Sequence, residues 1–252
     1  MKHIPNCFTL LNLFLGATAI LYILQPGLTY QAEGDGLVSI PEKMMWASWL
    51  IFAAGLVDFL DGFVARWMKQ ASEMGKQLDS LADVVSFGVA PAMIVLQFLR
   101  FSYSSSEGGL DITEWALLPA LLLPCAGAYR LARFNLDTSK SVGFKGIPIP
   151  AAGILLASFP LVNWYAKDAW IMDLLLNPWL WYGLILFLSF GMISTIPMLA
   201  LKFNGINFRK IIPFLIILAI ALPVAFLFGW LAISAGFIAY VILSLFFKST
   251  ES

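Results

Sequence analysis

Four aspartates are the residues of this sequence best suited to chemistry. They form two pairs, Asp58 with Asp61 and Asp79 with Asp83, at spacings of i, i+3 and i, i+4. On a helix either spacing puts both carboxylates on one face. Both pairs adjoin apolar runs, where an acid at mid-membrane costs about 2.5–3.5 kcal/mol by insertion scales and less toward the interface. Four such charges need compensation. Arg66 brings one positive charge, whereas two divalent ions bring four and balance the set. An all-oxygen donor set without Cys or His favours hard ions, Mg²⁺ or Mn²⁺, with Ca²⁺ as a competitor. Two such ions side by side suit in-line displacement at phosphorus, because they orient a diphosphate and stabilise both attacking and leaving oxygens. A proton or cation pathway is the rival use of intramembrane acids.

The elements that must hold these acids are membrane helices. Of 252 residues 60% are apolar and only 12% charged, which excludes a water-soluble globule. Eight apolar runs are expected to form spans: Phe8 to Leu24, Met44 to Val64, Leu78 to Leu99, Trp115 to Phe134, Ile149 to Ala166, Pro178 to Leu201, Ile211 to Phe228 and Leu231 to Phe247. The predicted fold is therefore an all-α, polytopic integral membrane protein with no room for a sizeable soluble domain. Asp58 and Asp61 end the second run and Asp79 and Asp83 begin the third, so a helical hairpin presents both pairs at similar depth. Gly62, Ala65 and Gly75 keep the hairpin faces low for a ligand or a neighbouring helix.

Lys2 and His3 before an apolar run resemble a signal peptide, with Ala17-Thr18-Ala19 as a small-residue site. The run continues to Leu24, so a retained first span is expected. With both termini on one side, that side carries all of the 15 cations except Lys43, Arg100 and Lys167. This positive-inside bias puts the termini, the loops near residues 70, 140 and 205, and the acidic cluster on the cytoplasmic side of the cell membrane. Zero net charge gives no reason to expect a nucleic-acid partner. Cys7 and Cys125 lack metal-ligand spacing and read as small packing residues.

The pattern Asp58-x2-Asp61-Gly62-x2-Ala65-Arg66-x8-Gly75-x3-Asp79-x3-Asp83 resembles, without departure, the signature of the CDP-alcohol phosphatidyltransferases. The resemblance implies a membrane enzyme that moves a phosphatidyl group from a CDP-linked lipid to an alcohol and releases CMP. It also implies that Asp58, Asp61, Asp79 and Asp83 ligate two Mg²⁺ or Mn²⁺ ions, with Asp83 the general base as well. Gly62, Ala65, Arg66 and Gly75 are assigned to the CDP-lipid by the same likeness. Further segments look like the membrane-type phosphatidylserine synthase branch: Pro5-Asn6-x2-Thr9-x2-Asn12, Ser86 to Pro91, Arg130 to Asn135 and Phe144 to Pro150. On that likeness Asn6 and Thr9 are expected at the CDP-lipid. Arg130, Arg133 and Lys145 are candidates for the carboxylate of an L-serine acceptor, and equally for positive-inside residues snorkelling to lipid phosphates. Glycerol phosphate, inositol phosphate and choline are the alternative acceptors. The likeness implies a six-helix core within residues 1–200, two further helices in 201–252 of the same membrane domain, and a homodimer. CDP-diacylglycerol, serine and membrane lipid are the expected partners.

Overall fold

A computed structural model describes residues 4–25, 29–30, 38–39, 42–67, 72–104, 113–137, 144–166, 168–199 and 208–246. The side chains of Ala65 and Arg66, and most of the loops near residues 70, 140 and 205 that carry the orientation, lie outside the described residues. In chain order the elements are α1 (Ile4–Leu24), a short hairpin of β1 (Thr29–Tyr30) and β2 (Val38–Ser39), α2 (Glu42–Trp67), α3 (Glu73–Asp83) and α4 (Ala90–Ser104). They continue through α5 (Glu114–Leu117), α6 (Leu122–Leu136), β3 (Phe144–Lys145), α7 (Ile149–Tyr165), α8 (Ala169–Leu175) and α9 (Pro178–Ile193) to β4 (Pro197–Met198), α10 (Phe208–Phe228) and α11 (Leu231–Phe246).

This is an all-α membrane protein. Helix fills most of each expected run, although α9 ends at Ile193, short of the expected Leu201, and gives way to β4; among the described residues length and apolarity qualify four helices as spans: Asn6–Leu24, Glu42–Val64, Glu73–Ser104 and Glu114–Leu136. A fifth forms if α8 and α9, bent by 62°, count as one. The remaining runs fold as shorter apolar helices, Ile149–Tyr165, Ile212–Phe228 and Leu231–Phe246, so the expected count of eight is not reached by this measure.

Periodicity explains which faces pack. The buried residues of α1 are Thr9, Asn12, Gly16, Ala19 and Ile23, a 3-4-3-4 stripe that is polar at one end and apolar at the other. On α2 the matching stripe runs Met44, Ala47, Ile51, Ala54 and onward to Asp58 and Asp61. The long faces of α1 and α2 lie together, and their polar ends coincide. Lipid tails are as apolar as leucine, so helices in a bilayer associate through close packing rather than through escape from water. Gly16 shows how close: a Cβ there would stand 2.7 Å from the Ser86 Cα. At Gly153 on α7 a Cβ would stand 2.9 Å from the Phe87 Cα. These two contacts grip a π-helical turn, Val84–Val89, that links α3 to α4 directly after Asp83.

Away from the acids the packing becomes aromatic. Trp181 stacks on Phe98 with centroids 4.5 Å apart and donates its indole N–H to the Leu175 carbonyl at 2.8 Å. Trp49, Phe52, Tyr165 and Trp230 cluster at the other end of α2, as interfacial aromatics do. Cys7 and Cys125, expected as packing residues, are instead exposed.

Candidate active site

The acid-bearing hairpin closes as its spacing predicts. Ser72 caps α3, its hydroxyl accepting the Gly75 N–H at 3.0 Å, and this cap starts the helix so that Asp79 and Asp83 follow on one side. A Cβ on Gly75 would sit 3.2 Å from the Asn6 Oδ1, so the glycine lets α1 approach the start of α3. Lys76 and Ser80 tie α3 to the end of α6: the Lys76 ammonium donates to the Asn135 carbonyl at 3.3 Å, and the Asn135 amide to the Ser80 hydroxyl at 2.8 Å.

Oxygens of Asp58, Asp61 and Asp79 lie within 4.8 Å of one another. The Asp58 carboxyl also meets that of Asp83, so all four acids share one site. Asp61 and Asp83 are buried, at 6% and 7% exposure, and Asp58 and Asp79 are half-buried. Like charges at this separation in a low-dielectric setting repel strongly unless cations join them. One atom is especially telling. The Asp79 Oδ1 is buried without a hydrogen-bond partner, although a buried carboxylate oxygen without a donor is costly. Three convergent carboxylates, a fourth in contact and an orphaned oxygen fit hard divalent cations by donor chemistry.

The polar end of α1 supplies the hydrogen bonds around the acids. The Thr9 hydroxyl donates to the Asp61 Oδ2 at 2.9 Å, and the Asn12 amide to the Asp83 Oδ1 at 3.4 Å. Asn12 is held in turn, since its carbonyl accepts the Ser86 hydroxyl at 3.0 Å from the π-helical turn. Asn12 and Ser86 were visible in the sequence only within wider motifs. The available signal was a polar residue one turn beyond Thr9 on an otherwise apolar helix. Gly62 lies half-buried on α2, while the backbone of Ala65 and Arg66 continues that helix.

The three candidate cations go to different places. Arg130 is 5% exposed, its Nε has no partner, and it is coupled through charge to Tyr240, Arg133 and Asp83. Arg133 donates to the Ile193 and Ser194 carbonyls at 2.6 and 2.9 Å, closing the C-terminal end of α9. Lys145 is on β3 and pairs with Asp137 at 3.4 Å, with both side chains partly exposed. The β3–β4 ladder and the Gly146 N–H bonded to the Ile196 carbonyl at 2.9 Å hold this loop against α9. Gly146 has φ +76, a left-handed backbone in which a Cβ would also meet the Ser194 carbonyl at 2.8 Å.

The model for CDP-alcohol phosphatidyltransferases matches residues 2–188. A CDP-diacylglycerol--serine O-phosphatidyltransferase of Helicobacter pylori (strain J99) is 37% identical over 161 residues, covering 63% of this chain and 57% of that protein. An enzyme of the same description from Methanocaldococcus jannaschii is 44% identical over 117 residues, covering 46% and 51%. One from Bacillus subtilis (strain 168) is 35% identical over 156 residues, covering 62% and 74%. The alignments thus span little more than half the length of the first two relatives.

Proposed function

The chain belongs to the CDP-alcohol phosphatidyltransferase family, and from that premise we propose that it transfers the phosphatidyl group of CDP-diacylglycerol to the hydroxyl of L-serine. Phosphatidylserine and CMP are the products. The convergence of Asp58, Asp61, Asp79 and Asp83 at one end of the bundle is the observation that carries the chemistry. The description shared by the three relatives supports serine as the acceptor.

Two Mg²⁺ or Mn²⁺ ions held by the four aspartates would supply positive charge to the diphosphate as the phosphorus–oxygen bond to CMP breaks. Asp83 takes the proton of the serine hydroxyl. The Asn12 amide donates to its Oδ1 and orients the carboxyl. The serine oxygen then forms the new bond to the lipid-bearing phosphorus. Thr9 steadies Asp61, and Asn6, Gly62, Ala65, Arg66 and Gly75 are assigned to the CDP-lipid in this reading.

Of the three candidate acceptor cations, Arg130 best suits a carboxylate. It is the one that combines burial, an orphaned N–H and an electrostatic coupling to Asp83, whereas Arg133 donates to α9 and Lys145 pairs with Asp137. A guanidinium receives a carboxylate through two parallel N–H donors, which fixes both position and angle.

The distribution of cations supports a cytoplasmic site and cytoplasmic termini in the cell membrane, with lipid tails entering from the bilayer. Residues 1–200 form the catalytic core in this scheme and 201–252 add helices to the same domain. The homodimer implied by family resemblance belongs to the same reading. An acceptor screen with purified protein, CDP-diacylglycerol and Mg²⁺ or Mn²⁺ tests the assignment. Serine-dependent release of CMP with an equal yield of phosphatidylserine is expected. Preference for glycerol phosphate, inositol phosphate or choline rejects serine while leaving the family chemistry intact.

A further inference from the structure

The first two turns of α3, which carry Asp79, have little packing to hold them. Among the residues of this helix only Ala82 and Asp83 are buried, while Glu73, Met74, Lys76, Gln77 and Leu81 are exposed. A segment with so few buried contacts depends on hydrogen bonds to keep its place. We propose that Asn135, in the last turn of α6, is a positioning residue that fixes α3 in the rotation at which Asp79 meets Asp58 and Asp61, and so sets how tightly the acids hold a divalent cation; this rests on the metal reading above.

The contact is a closed ring of hydrogen bonds. The Asn135 side-chain amide donates to the Ser80 hydroxyl at 2.8 Å, that hydroxyl donates to the Lys76 carbonyl at 3.2 Å, and the Lys76 ammonium donates to the Asn135 carbonyl at 3.3 Å. A serine hydroxyl has one proton, here given to Lys76, so its oxygen is left to accept from Asn135. Lys76 and Ser80 stand one turn apart on α3, so the ring grips the helix at two heights and resists rotation as well as sliding. The Lys76 link is exposed and the Asn135–Ser80 link is part-buried, so the second carries more of the restraint. The anchor is itself held: Arg133 donates to the Ile193 and Ser194 carbonyls at 2.6 and 2.9 Å, and the Asp137 N–H closes the turn on the Arg133 carbonyl at 3.1 Å.

Asp79 depends on this grip more than Asp61 and Asp83 do. Thr9 donates to Asp61 and Asn12 to Asp83, so α1 orients those two side chains directly. The Asp79 Oδ1 is buried with no partner, so its direction is set by the backbone that carries it. Adjacent residues of a helix point about 100° apart. With Ser80 held by α6, Asp79 is left on the side where one of its oxygens lies within 4.8 Å of those of Asp58 and Asp61. Neither Lys76 nor Ser80 is a fixed position of the aspartate signature, so the ring joins two motifs that the sequence presents separately.

The test is Mn²⁺ binding to the purified full-length chain in detergent, with CDP-diacylglycerol present and no acceptor. Binding is read from the loss of the free-ion electron paramagnetic resonance signal, and Tm is measured alongside. Asn135→Leu keeps the size of the side chain and removes its amide; it is expected to weaken Mn²⁺ binding by about 3- to 10-fold, the effect of one ordinary hydrogen bond. Ser80→Ala should weaken it to a similar degree, and Ser80→Thr, which keeps the hydroxyl, should stay within about twofold of the parent. Combining Asn135→Leu with Ser80→Ala should cost no more than the larger single loss, because both remove the same bond. Tyr103→Phe, which removes a hydroxyl paired with that of Tyr182 at 3.0 Å at the far end of α4, is the control for altered packing. A lower Tm with unchanged Mn²⁺ affinity, or additive losses in the double variant, overturns the inference while Mn²⁺ binding by the parent chain stands. Ser80→Ala and Ser80→Thr decide the matter if Asn135→Leu does not fold. A parent chain that binds no Mn²⁺ overturns the metal reading and this inference with it.

Discussion

Replacing Thr9 by Val removes a single hydroxyl at nearly constant shape, and the structure fixes what is lost. That hydroxyl donates to the Asp61 Oδ2 at 2.9 Å, with Thr9 3% exposed and Asp61 6% exposed, so water has little access to replace it. A hydrogen bond to a charged group is worth about 1.5–3 kcal/mol, equivalent to about a 10- to 150-fold change in an equilibrium or rate. Two effects oppose each other. Losing the donor leaves Asp61 with more charge to offer a cation, but it also frees the carboxylate to leave the geometry shared with Asp58 and Asp79. Orientation wins at a multidentate site, where removing a residue that supports a metal ligand costs about 10–100-fold in metal affinity or activity. The assay is CMP release at saturating CDP-diacylglycerol and serine, titrated with Mg²⁺. Thr9→Val should need about 10–100-fold more Mg²⁺ for half-activity, or lose a similar factor in rate. Thr18→Val is the matched control, because the Thr18 hydroxyl donates to the Phe14 carbonyl of its own helix at 2.8 Å, away from the acids. A Thr9→Val protein with unchanged Mg²⁺ dependence and rate would refute the coupling of α1 to the metal site. So would an equal effect of Thr18→Val.

Two further substitutions probe the same frame. Gly16→Ala places a methyl 2.7 Å from the Ser86 Cα, a backbone atom that cannot rotate away, so α1 and the π-helical turn must separate; overpacking of this kind costs about 1–3 kcal/mol. A lower Tm in detergent together with reduced activity is expected, and a normal Tm with normal turnover would show that the contact yields freely. Asp83→Asn removes the proposed base while keeping the side chain's size and its contact with Asn12. Turnover should fall by about 100-fold or more while CDP-diacylglycerol binding stays within a few-fold, and near-normal turnover would take the base role from Asp83.

What could be read from the chain follows from the range of each interaction. The two aspartate pairs were legible because i, i+3 and i, i+4 spacings translate directly into a shared helix face, and one short loop then brings the faces together. The helices were legible because apolar length is a local property. Their count was less so, because α7, α10 and α11 lie near the length limit and α8–α9 bends by 62°. The fates of Arg130, Arg133 and Lys145 were not legible. All three looked alike as cations near one membrane face, and only the fold delivers one to the α9 carbonyls, one to Asp137 and one to the neighbourhood of Asp83. The carboxylates proposed to hold metal can be found by local spacing, because one hairpin supplies them. The proposed acceptor cation Arg130 comes from α6, distant in sequence from that hairpin, so on this reading the aspartate frame and the choice of alcohol are carried by separate elements.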